Sequence, residues 1–153
     1  MYLVFTASKD TYITNKIIST SARATDANLG GASTLDLFKL YDETAISGET
    51  TPIELSRALI KFELQDISAS LKDKVSFDDG SFNCVLKLHD VQGNQIAPSN
   101  FSLAVFPLSS SFDEGKGKDV ASMAYLDRCN WLTSSYTTTN VVWNSGGAMA
   151  SGT

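Results

Sequence analysis

From Ser56 to Leu64 the sequence alternates in polarity with a period of two. Ala58, Ile60, Phe62 and Leu64 fall on one side of an extended chain, and Arg57, Lys61 and Glu63 on the other, with Leu59 the one apolar exception. Successive side chains of a strand project to opposite faces, so the pattern predicts a strand with one face on a core and one in water. A helix would scatter the same residues around its circumference. Asn83 to Val91 repeats the alternation, with Cys84, Leu86 and Leu88 expected inward and Lys87 and His89 outward. Phe101 to Leu108 reads as a more apolar strand whose Pro107 sits near the end, where a missing N–H is tolerated. Ser33 to Tyr41, Tyr12 to Ser19 and the apolar start from Met1 to Phe5 complete the expected strands.

Turn chemistry separates these runs. Asn28-Leu29-Gly30-Gly31, Ser47-Gly48, Asp78-Asp79-Gly80, Gln92-Gly93-Asn94 and Gly115-Lys116-Gly117 supply the positive-φ or side-chain-capped positions that reversals need. Asn28-Leu29-Gly30 in particular reads as a tight turn into a strand, with the glycine taking φ > 0. Long helices do not alternate with the strands, so the expected fold is all-β: an antiparallel β-sandwich, jelly-roll-like. One or two short helical segments accompany it, a single turn over Ile67 to Lys74 and a short helix or ordered loop over Asp119 to Leu132. Residues 1–143 read as a single β-sandwich domain. Residues 144–153 read as a flexible Gly/Ser-rich tail or the start of a further segment. A sheet that stops there has an open edge for a partner or for more chain to cover.

Composition narrows the function classes. Of the 153 residues, 34 are Ser or Thr, which compete with helical backbone bonds and suit strands and turns. Twelve Lys and Arg against 17 Asp and Glu leave a net charge of −5, with no basic cluster dense enough for a phosphate backbone or an anionic membrane. No stretch approaches the apolar length of a bilayer span, and Lys9 and Asp10 cut the apolar start too short for a signal peptide. Cys84 and Cys129 are expected as unpaired thiols of a protein made in a reducing cytosol.

Catalytic chemistry finds little to stand on. His89 is the single histidine, and its odd spacing from Cys84 puts the two on opposite faces of a strand. The carboxylate pairs Asp42-Glu43, Asp78-Asp79 and Asp113-Glu114 are neighbours in turns and point apart, whereas glycosidases need two carboxyls facing across a cleft. No catalytic residue is therefore assigned. Asp113, Glu114 and Asp119 are the candidate calcium ligands, three hard oxygen donors in a glycine-containing loop interleaved with lysines. Tyr125, Trp131, Tyr136 and Trp143 are the candidate ligand or interface residues, because aromatics serve sugar stacking and protein interfaces alike.

Three spaced segments resemble a known family. Asp10-Thr11-Tyr12-Ile13, then Asn28-Leu29-Gly30-Gly31-Ala32-Ser33-Thr34-Leu35, then Ser56-Arg57-Ala58-Leu59-Ile60-Lys61-Phe62-Glu63-Leu64 look like the DNRLRE-type domain, a jelly-roll β-sandwich related to carbohydrate-binding modules. Ser111-Phe112-Asp113-Glu114-Gly115, Asn130-Trp131-Leu132 and Trp143-Asn144-Ser145-Gly146-Gly147 resemble the branch found in tailed-bacteriophage virion proteins, especially of marine phages. The resemblance implies a non-enzymatic virion structural protein, a capsid decoration or a tail, fibre or head–tail component. Such a protein is assembled in the host cytoplasm and docks on other virion proteins and on itself as a homo-oligomer. A carbohydrate-binding module for a host surface glycan is the alternative. Arg57, at the start of a strand whose inward face is apolar, is expected to lie along the sheet edge and clamp it to a loop carboxylate.

Overall fold

The computed structural model describes residues 3–41, 48, 52–65, 83–91, 100–121, 125–126, 128–136 and 140–143. The chain is all-β, with antiparallel pairing throughout. It divides into two compact units, one of residues 1–8 with 62–104 and one of residues 9–61 with 105–153. The second unit contains β1 (Lys9–Thr14), β2 (Ile17–Ser19), β3 (Ala22–Arg23), β4 (Lys39–Tyr41), β5 (Ile53–Lys61), β6 (Thr133–Tyr136) and β7 (Asn140–Val142).

β5 lies at the centre of a three-stranded sheet in the order β1-β5-β4. β1 is rich in the β-branched and aromatic residues that pack on a pleated surface, and it pairs with β5 in continuous register from Lys9↔Lys61 to Thr14↔Ser56. The ladder ends where side chains replace backbone. The Asn15 amide donates from Nδ2 to the Ile53 carbonyl at 3.1 Å and accepts the Leu55 N–H on Oδ1 at 2.6 Å. Thr14 donates its hydroxyl to the Leu55 carbonyl at 2.7 Å and accepts the Lys16 N–H at 3.0 Å, turning the chain towards β2. Glu54 is buried, and its Oε1 accepts the Ile17 N–H at 2.6 Å. A charge-assisted bond of this kind is what makes a buried carboxylate tolerable.

Cross-strand partners share a face, so Ile13 with Arg57 and Thr11 with Leu59 define one side of the sheet. That side carries the core: Ile13, Leu59, Phe112 and Cys129 are buried together, and Trp131 and Trp143 pack against them. The alternation in this segment therefore reads with the opposite sense to expectation. Leu59, the exception, is the apolar side chain β5 buries, at 9% exposure, whereas Ile60 and Phe62 are half-buried and Leu64 is 58% exposed. The expected strand holds over residues 56–61, and residues 62–64 lie past the end of β5. The choice of face was not legible, because it depends on the loops that cover one side. Arg57 is admitted to that side because its guanidinium lies over the Trp131 ring, 4.6 Å from the centroid, in a cation–π contact. Burial also lowers the Arg57 pKa from its ordinary value.

Other expected strands differ in the same way. Ser33 to Tyr41 is strand only at β4, and Tyr12 to Ser19 is split between β1 and β2. Residues 83–91 and 101–108 form no ladder among the described residues, and every side chain in both runs is exposed, Cys84 included. Alternation prepares a segment to lie on a core. It does not supply the neighbouring strand whose hydrogen bonds make the ladder. The described parts of 119–132 are turn and coil rather than helix. The helical turn expected over 67–74 and the tail 144–153 lie outside the described residues.

Candidate functional site

Two buried asparagines organise the loops that cover the core. Asn28 is fully buried between residues distant in sequence. Its Nδ2 donates to the carbonyls of Glu114 at 2.7 Å and Cys129 at 2.8 Å. Its Oδ1 accepts the N–H of Gly117 at 2.9 Å and of Gly30 at 3.4 Å. An amide has two donors and two acceptor lone pairs, and here all four are used. Asn130 does the same work locally: Oδ1 accepts the N–H groups of Leu132 and Thr133, each at 2.8 Å, while its backbone carbonyl accepts the Trp143 indole N–H at 2.8 Å.

The glycines around Asn28 fit this lattice. Gly115 adopts φ 77°, as its turn motif predicts, and a side chain there would also strike the Asn28 amide. Gly30 does not take positive φ. Its role is contact: a Cβ at Gly30 would overlap the Glu114 carbonyl. The segment 28–31 is thus laid backbone-to-backbone on 114–117, with the Gly31 N–H donating to the Gly117 carbonyl at 2.8 Å.

Beside this packing lies a shallow, open cleft of about 590 Å³ lined by Lys9, Asp113, Glu114, Gly115, Lys116, Tyr125 and Arg128. One Glu114 carboxylate oxygen accepts the Asp10 N–H at 2.7 Å. Tyr125 stands at 47% exposure on a backbone with φ 60°. A left-handed conformation costs a non-glycine residue roughly 1 kcal/mol or more, and such strain gathers at binding and switch sites.

A second, smaller crevice of about 240 Å³ lies beside Tyr12, Asp36, Phe38, Lys118 and Asp119. The Tyr12 hydroxyl donates to Asp36 Oδ2 at 3.5 Å. Burial, then the Asp36 carboxylate, pushes its pKa from about 10 to about 12. The folded state therefore holds this proton more tightly than the unfolded chain, so its contribution to stability is complete below pH 10 and is lost as pH rises towards 12. The Tyr12→Phe variant is expected to lose less stability than the parent between those limits, measured by urea denaturation across the alkaline range.

The aromatic candidates separate into different roles. Trp131 and Trp143 are half-buried against the core, one ring covered by Arg57 and the other anchored through its N–H, so they hold loops in place. Tyr125 faces the cleft. Tyr136 pairs with Asn140 in the β6–β7 hairpin, and its side chain lies outside the described residues. Asp113 and Glu114 line one cleft and Asp119 the other crevice, and no group of three or more metal-ligating side chains forms among the described residues. Lys9 and Arg128 were not singled out by the sequence. Neither lies in a motif; the fold brings Lys9 to Tyr125, whereas Arg128 is three residues further along the chain and its N–H donates to the Tyr125 carbonyl at 3.0 Å.

Burial, then Asp113, raises the Cys129 thiol from about 9 to about 12, which removes the thiolate that reacts. Cys84 is exposed. A thiol reagent is expected to label Cys84 rapidly in the native protein and Cys129 only after denaturation. Labelling of both at one rate would overturn the burial.

The geometry defines an all-β protein with a loop-lined, mixed-charge cleft beside a compact core. No family model, no curated protein and no solved structure matches the chain.

Proposed function

We propose that the chain is a non-enzymatic bacteriophage virion structural protein, a capsid decoration or a tail, fibre or head–tail component, acting by protein–protein docking. The observation that carries this reading is the exposed apolar surface on its alternating segments. Val85, Val91 and Phe101 are exposed, as are Val105 and Phe106, with Val105 at 74%. Exposed apolar side chains of this kind, present in each of the two units, suit surfaces that another protein covers. The all-β fold, with its turns fastened by buried asparagines and glycine contacts, supports a rigid docking part. The resemblance of residues 111–115, 130–132 and 143–147 to tailed-bacteriophage virion proteins is what favours a virus particle as the setting.

The test is protein mass spectrometry of gradient-purified virions, followed by imaging of the particle. The expected result is this chain at stoichiometric copy number, with density on the shell, neck, tail or fibre. Absence from purified virions overturns the reading.

A carbohydrate-binding module for a host surface glycan is the second reading, and Tyr125 is what favours it. A half-exposed ring beside charged side chains suits stacking on a sugar. Retention of the chain on an immobilised glycan, lost in Tyr125→Ala with folding intact, would select this reading.

A further inference from the structure

We draw no further inference here: the strongest candidate, the crevice beside Tyr12 and Phe38, sets Lys16 and Lys118 against Asp36 and Asp119 so that the charges cancel, both carboxylates already accept hydrogen bonds from the chain itself, and nothing in the structure shows what would fill it.

Discussion

Asn28→Ala is expected to lower the unfolding free energy by about 4 kcal/mol, a value in the range reserved for broken buried networks. The methyl group replaces an amide whose two donors and two acceptor lone pairs are all engaged. It leaves the carbonyls of Glu114 and Cys129 and the N–H of Gly117 without that partner. Each such group costs about 1–3 kcal/mol when it remains buried, offset in part by water entering the gap. Urea denaturation checks this as a lower midpoint at unchanged slope. A loss below about 1 kcal/mol would show that the Asn28 network is not what holds the loops. Asn28→Asp separates hydrogen bonding from shape. A carboxylate in the same volume presents oxygen to two carbonyls, so its pKa is expected to rise above the usual carboxylate value. A group raised in the folded state contributes stability at low pH and loses it as pH rises through that value. The aspartate variant is thus expected to be least stable at neutral pH and to recover part of the loss on acidification.

Gly30→Ala is expected to cost about 3 kcal/mol or more, although alanine normally stabilises a chain relative to glycine. The backbone at Gly30 lies outside the positive-φ region, so no conformational penalty applies. The cost is steric, because the added Cβ meets the backbone of Glu114 rather than the end of a flexible side chain. Backbone held by the Asn28 network cannot give way without breaking it, so the two substitutions touch one structure. The double variant Asn28→Ala, Gly30→Ala is expected to lose less than the sum of the singles. Additive losses would mean that the two segments are held apart by other means.

These two residues also mark how much was legible. The turn at 28–31 was readable from Asn-Leu-Gly-Gly, and Gly115 takes the positive φ its motif predicts. The partners were not readable, since 86 and 101 residues separate Asn28 from Glu114 and Cys129. The same division runs through Trp131 and Trp143. Their residue type announced an aromatic with a task, and only the fold made that task loop anchoring while turning Tyr125 outward.

By itself, the order of residues determined the all-β class, the antiparallel pairing style and the period of β5, because these follow from backbone geometry and local side-chain chemistry. The tertiary structure decided which face of β5 is inside, which alternating runs gain a ladder, and which charges meet at Tyr125. A strand cannot select its own cover: the energy of burying Leu59 beneath Phe112 and Cys129 exists only once those distant loops arrive.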